Sequence, residues 1–228
     1  MKKVILISGG SDGLGKAIAT KMSKKHTVVI IATNEKKLKM VADEIKCDYH
    51  VCDVSDYDSL DKTVSKILDK HKRIDCLINN AGLMVEGKLT ENDAERIKKV
   101  VDVNTLGTIY FSKAVLPQMI KQNEGLIINV ISQGGIKARI NRSVYNASKW
   151  AITGFTKSLQ LEVAEHNIRI TGFYPGKFKS NMFEKINVKH DMSDALEVED
   201  VVKAVEYVIE TDKNILIPEF GVIDIRRK

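Results

Sequence analysis

Ser8-Gly9-Gly10-Ser11-Asp12-Gly13-Leu14-Gly15 follows the apolar run Val4-Ile5-Leu6-Ile7 and leads into a stripe of Leu14, Ala17, Ile18 and Met22. A short continuous apolar run bounded by glycines predicts a strand buried on both faces, and the stripe, continued to about Lys24, predicts an amphipathic helix. Gly9 can make the tight turn, Gly13 can admit a ligand close to the backbone, and Gly15 can let the helix start against the strand. Amide N–H groups at the start of that helix would point at an anion, so the segment predicts a phosphate-binding turn. A merely structural turn would not need three glycines.

Outward from this turn the alternation repeats. Thr27 to Ala32, Tyr49 to Cys52 and Cys76 to Asn79 are expected strands, and Glu35 to Ile45 and Tyr57 to His71 expected helices. Farther on, Asn92 to Gln122 predicts a long helical region, Leu126 to Ile131 a strand, and Val144 to about His166 a long helix. Arg169 to Phe173 and Ile215 to Ile217 predict strands flanking a helix at Val198 to Glu210. The sum is an α/β chain with a doubly wound parallel sheet of about seven strands, Rossmann-like, with right-handed crossovers. The length of 228 residues and the lack of a Pro/Ser/Gly-rich linker predict a single domain over residues 1–228. Asn104 and Gly107 fall inside the long helix, where polar and flexible residues weaken it.

Composition narrows the function classes. No apolar run approaches the roughly 20 residues a membrane helix needs, and Met1-Lys2-Lys3 leads into a strand rather than a secretory signal, so a cytoplasmic protein is expected. Cys47, Cys52 and Cys76 match neither a zinc nor a CxxC spacing, and neither disulfide nor metal is implied. The net charge of +6 raises nucleic acid as a partner, but lysines alternate with acids, as in Asp43-Glu44-Ile45-Lys46 and Glu95-Arg96-Ile97-Lys98. That interleaving is a solvated face, and no nucleic-acid partner is expected.

With its glycines spaced GxxxGxG, the turn resembles that of the short-chain dehydrogenase/reductase family, with Gly9, Gly13 and Gly15 at the three positions and Leu14 where Ile or Leu is usual. The resemblance covers essentially the whole chain and implies an oxidoreductase that moves hydride between a nicotinamide cofactor and a carbonyl or secondary alcohol. The turn, with Ser11 and Asp12, would bind that cofactor. Asp53-Val54 is placed like the family's adenine contact, Asn80-Ala81-Gly82 belongs to an NNAG segment bordering the cofactor, and Pro175-Gly176 matches the turn beside the nicotinamide. Phe178 stands where Val or Ile is more usual, and Ser180 where Thr is frequent. At the end of the second strand Ala32-Thr33-Asn34 lacks the acid that would bond a ribose 2′-OH. It also lacks the Arg of many NADP-preferring relatives. Ser11, Thr33 and Asn34, with charge from Lys36 or Lys37, point to NADP rather than NAD.

Tyr145-Asn146-Ala147-Ser148-Lys149 puts a phenol and an ammonium on one helix face. The ammonium would lower the phenol pKa, and Tyr145 would give its proton to the carbonyl oxygen during reduction or take it back during oxidation. Alone, such a pair is bland. Ser132, at a strand end thirteen residues earlier, matches the family's serine spacing and would polarise the carbonyl. Asn104 matches the family's helix asparagine, whose helix is locally distorted and holds a proton-relaying water; Lys149 would also bond the nicotinamide ribose.

Substrate identity is expected to lie in Met84 to Leu89, Gln133 to Ser143 and Asn181 to Ser193, the last within a short substrate loop around 177–195. Lys137, Arg139 and Arg142 could recognise an acidic substrate or belong to a solvated loop. Phe178, Met182 and Phe183 could form an apolar lid or simply core. The chain ends soon after the last expected strand, leaving no long extension to close the pocket. The resemblance implies a homodimer or homotetramer through the two long helices. A catalytically silent dinucleotide-binding regulator or scaffold of the same fold is the competing reading.

Overall fold

The computed structural model describes residues 2–180, 182, 186, 188 and 190–226. Among them, β1 (Val4–Ser8), β2 (Thr27–Ala32), β3 (Asp48–Val51), β4 (Cys76–Asn79), β5 (Gly125–Val130), β6 (Ile168–Phe173) and β7 (Glu219–Phe220) form one sheet. Its order is β3-β2-β1-β4-β5-β6-β7, and every pairing is parallel. The helices are α1 (Gly13–Met22), α2 (Glu35–Ile45), α3 (Tyr57–His71), α4 (Ala94–Val101), α5 (Gly107–Gln122), α6 (Ser143–Glu162) and α7 (Val198–Glu210).

Side chains alternate across each strand, and both faces are apolar. Ile5, Ile7, Ile30, Ile78 and Ile128 pack under Leu14 and Ile18 of α1, Leu38 of α2 and Val201 and Val205 of α7. Leu6, Val29, Leu77 and Ile127 pack under Leu60 and Val64 of α3, Phe111 and Val115 of α5 and Leu159 of α6. Each such burial contributes about 1.5–3 kcal/mol, which makes the sheet a stiff platform. Four helices begin on acceptor side chains: Asp12, Asn34, Asp56 and Asp93 take backbone N–H groups of α1, α2, α3 and α4.

Strand order reverses between β1 and β4, so the loops after these strands diverge and leave a crevice at the carboxyl edge. Several boundaries differ from the sequence reading: strands shift by a residue, and the helix expected to reach about His166 ends at Glu162, with a separate 3-10 turn at Ala164–His166. α1 stops at Met22, where the chain turns with the His26 N–H donating to the Met22 carbonyl. The last strand lies at Glu219–Phe220 rather than Ile215 to Ile217. There Phe220 stacks on Phe173, centroids 4.2 Å apart, while Ile215 and Leu216 stay exposed. The long helix is interrupted by a π-helical turn, Asp102–Leu106, in which the Gly107 N–H reaches back five residues to the Asp102 carbonyl. That turn accommodates the awkward Asn104 and Gly107.

Candidate active site

A cleft of about 760 Å³ runs along the carboxyl edge, within the usual range for small-molecule sites. One end is the glycine turn. Gly9 and Gly13 have φ of +67° and +51°, a region that favours glycine. A Cβ on Gly15 would come within 2.3 Å of the Gly9 carbonyl oxygen and 2.5 Å of Asn80 Nδ2, so α1 can approach β1 this closely only with glycine there. The Ser8 hydroxyl accepts the Asn80 and Ala81 N–H groups, both at 3.0 Å, and Asn80 Nδ2 donates to the Ser8 carbonyl at 3.0 Å. This locks the loop after β4 to the turn after β1.

Gly9, Ser11, Asp12, Gly13 and Leu14 line the cleft, as do Thr33, Asp53, Val54, Asn80, Ala81 and Gly82. Gly15 packs behind the turn, outside that lining. Asn34 also lies outside it: its Oδ1 caps α2 by accepting the Lys37 N–H at 3.0 Å, so Thr33 is the polar residue after β2 that faces the cleft. Lys37 Nζ is 3.2 Å from Asp12 Oδ2. Asp53 accepts from Ser55 and from Lys99 Nζ at 2.7 Å. Burial would raise its pKa, but those hydrogen bonds hold the carboxyl below its ordinary value.

Ser132, Tyr145 and Lys149 line the middle of the cleft. Ser132 follows β5 with φ of 106°, and its Oγ accepts the Gly134 N–H at 3.1 Å. Tyr145 and Lys149, one turn apart on α6, are both buried. Burial pushes the Tyr145 phenol up from its ordinary pKa, against the Ser132 hydrogen bond and the Arg142 charge. The Lys149 ammonium is 6.0 Å from the phenol ring centre and donates to the Val130 carbonyl at 3.0 Å; burial brings it down to about 8. The Arg142 charge acts on the phenol in the same downward direction as the Ser132 hydrogen bond. Asn104 sits beneath the lining, wholly buried, its carboxamide held by the Leu83 N–H (2.7 Å), the Leu83 carbonyl (2.9 Å) and Ser148 Oγ (3.0 Å).

Pro175, Gly176, Phe178 and Ser180 line the cleft's far wall, with Met182. Phe178 also packs against the α1, α2 and α7 side of the core. Asn181 and Phe183 lie outside the described residues. Of the three basic candidates, Arg139 and Arg142 line the cleft, whereas Lys137 is exposed outside it.

Residues 3–206 match the family model for short chain dehydrogenase. The chain belongs to the short-chain dehydrogenase family. An uncharacterized oxidoreductase of Staphylococcus epidermidis is 30% identical over 221 residues, spanning 96% of this chain and 95% of its own. Carbonyl reductase family member 4 of Xenopus laevis is 34% identical over 220 residues, 92% of each chain. A crystal structure of a metagenomic short-chain oxidoreductase in complex with NADP, 29% identical, matches with a TM-score of 0.85 over 96% of both chains. This chain is thus an NAD(P)-dependent oxidoreductase of the short-chain type.

This short-chain dehydrogenase also brings to its cleft residues that sequence reasoning passed over. Arg96, Lys99, Val100 and Val103 line it from the helix that leads into Asn104. Their three- and four-residue spacing was a usable signal, obscured because Arg96 sits in a stretch resembling a solvated face. His190, Lys177 and Asp194, from the segment expected as a loop around 177–195, line the cleft too. Among the described residues no helix is long and apolar enough to cross a membrane.

Proposed function

We propose that this protein reduces a small-molecule carbonyl with NADPH, and catalyses the reverse oxidation, with Tyr145 exchanging the proton. The observation that carries the reading is the convergence of the half-buried Ser132 with the buried Tyr145 and Lys149 on the lining of the cleft. When bound, the nicotinamide would supply or accept the hydride at the substrate carbon. The donor set fits such a cofactor: the positive-φ glycines leave room against the backbone, and the buried Lys149 ammonium can offer N–H groups to ribose hydroxyls. Gly9, Ser11, Asp12, Gly13 and Leu14 would hold the phosphates, Thr33 the ribose, Asp53 and Val54 the adenine. Asn80, Ala81, Gly82, Pro175, Gly176, Phe178 and Ser180 would border the rest.

Ser132 would donate its hydroxyl to the substrate oxygen, where negative charge develops as the carbonyl is reduced. Tyr145, kept protonated at neutral pH by burial, would deliver its proton to that oxygen. Lys149 would favour the departing proton's negative counterpart, and Asn104 would hold the backbone of Leu83 and the α6 residue Ser148 in place beneath it. The absence of a carboxylate immediately after β2 and the exposed Lys36 and Lys37 support NADP over NAD. The NADP complex of the metagenomic relative supports the same choice.

Tyr145→Phe removes the transferable proton and little else. Reduction of aldehydes, ketones and quinones, followed by NADPH absorbance, is expected to fall by about 10²–10⁴-fold while NADPH still binds. Unchanged turnover would remove Tyr145 from this role; a wild-type protein that binds NADPH and turns over nothing would favour a silent binder. We also place the enzyme in the cytoplasm as a homodimer or homotetramer. An apolar groove on α5 and α6, lined by Ile109, Leu116, Ile120 and Phe155, supports the association. Light scattering at micromolar concentration is expected to give a multiple of 25.5 kDa.

A further inference from the structure

Arg142 stands three residues before Tyr145, at the end of the loop that leads into the first turn of α6. Its guanidinium is largely buried, with 14% of the side chain exposed, and it lines the cleft. Glu86, which does not line the cleft, grips it: Glu86 Oε2 is 3.0 Å from Arg142 Nε and 2.9 Å from a terminal nitrogen. His190, from the segment across the cleft, brings Nε2 within 3.3 Å of Arg142 and 3.2 Å of Glu86. The carboxylate therefore holds the guanidinium against the wall of the cleft.

The Arg142 charge also acts on the Tyr145 phenol, which puts it within electrostatic reach of the reacting oxygen. Arg139, earlier in the same loop, is a second guanidinium on the lining. Asp194 is the carboxylate that lines this end, and it is occupied by an ion pair with Lys177. Even a largely buried ion pair is weak support for stability, and packed apolar side chains would tie these loops as well. A guanidinium held in one orientation is, in contrast, well suited to grip a planar carboxylate.

Resting on the carbonyl-reduction reading, we infer that Arg142 and Arg139 select substrates that carry a carboxylate, so that oxo acids and hydroxy acids are the substrate class of this cleft.

The test is binding to the protein loaded with NADP⁺, where no reduction can occur. Isothermal titration compares acetoacetate and levulinate, each beside its own methyl ester. The acids are expected to bind at least about tenfold more tightly than the esters, the scale of a hydrogen-bonded charge contact. Arg142→Gln and, separately, Arg139→Gln are expected to bring the ratio toward one. Arg142→Lys, a point charge without the fork, is expected to fall between. Arg139 is exposed, so its variant decides the matter if Arg142→Gln proves unstable. A wild-type ratio near one overturns the inference, as does an unchanged ratio in folded variants that bind NADP⁺ normally. With NADPH in place of NADP⁺, failure to reduce either partner of each pair would overturn the carbonyl-reduction reading instead, and the binding ratio would still judge the anion site.

Discussion

The two ends of the cleft are built from different materials. At the glycine turn, shape is set by backbone: Gly9, Gly13 and Gly15 are required by dihedral angle or by a missing Cβ, and Ser8 and Asn80 clamp two loops through main-chain atoms. At the opposite end, Glu86, Arg142 and His190, and separately Lys177 and Asp194, hold loops together by side-chain charge. Backbone geometry tolerates almost no substitution, whereas an ion pair can be exchanged for another pair or for packing. The first end suits an invariant ligand part and the second a part that differs between relatives.

Lys149 lies where the ends meet, and Lys149→Met should have the largest effect. Turnover is expected to fall by about a hundredfold or more. Stability should move the other way. The folded pKa of about 8 lies below the ordinary 10.5, so below pH 8 the buried charge costs on the order of a few kcal/mol. The wild-type protein recovers that cost as pH rises from about 8 to 10.5, because the unfolded chain then binds the extra proton. Urea unfolding at pH 7 should show the variant more stable, with the gap closing toward pH 10.5. A variant less stable at pH 7 would contradict the assigned cost.

Gly15→Ala attacks the backbone-built end. Helix propensity alone would favour alanine by about 1 kcal/mol, but the 2.3 Å approach to the Gly9 carbonyl should outweigh it. Net destabilisation of about 1–2 kcal/mol in urea and more than tenfold weaker NADPH binding by fluorescence are expected. A stable variant with normal binding would break the contrast between the ends. Glu86→Gln attacks the charge-built end and should cost about 1 kcal/mol, read as a Tm lower by about 2–4 °C, since the amide oxygen still accepts from the guanidinium. The smallest effect is expected from Thr33→Asp: the ratio of kcat/KM for NADPH over NADH should fall several-fold, as a carboxylate there repels a 2′-phosphate. A ratio that rises would place the phosphate elsewhere.

The same contrast explains what could be foreseen. The parallel sheet and the turn after β1 were legible because buried strands need continuous apolar runs and close approaches need glycine. The Ser132, Tyr145 and Lys149 set was visible in spacing, although nothing in spacing reveals that Lys149 donates to Val130 or that the Arg142 charge also acts on the phenol. Asn34 looked like a ligand residue because a carboxamide after β2 can either cap a helix or bond a phosphate, and only the placement of the Lys37 N–H decides. The Glu86 and Arg142 pair spans 56 residues of chain, and long-range charge pairing leaves no local pattern. The β7 position was obscured by the stronger apolar run at Ile215 to Ile217, because register depends on the Phe173 and Phe220 stack.

The π-helical turn at Asp102–Leu106 has a consequence for how one long helix meets two masters. One extra residue in a helical turn advances the phase of everything downstream by about 100°. Upstream, Arg96, Lys99 and Val100 line the cleft; downstream, Phe111, Val115 and Met119 face the sheet. The turn acts as a vernier between these stripes, so deletion of a single residue within it would swing the lower stripe out of the interior even though no apolar residue had been lost.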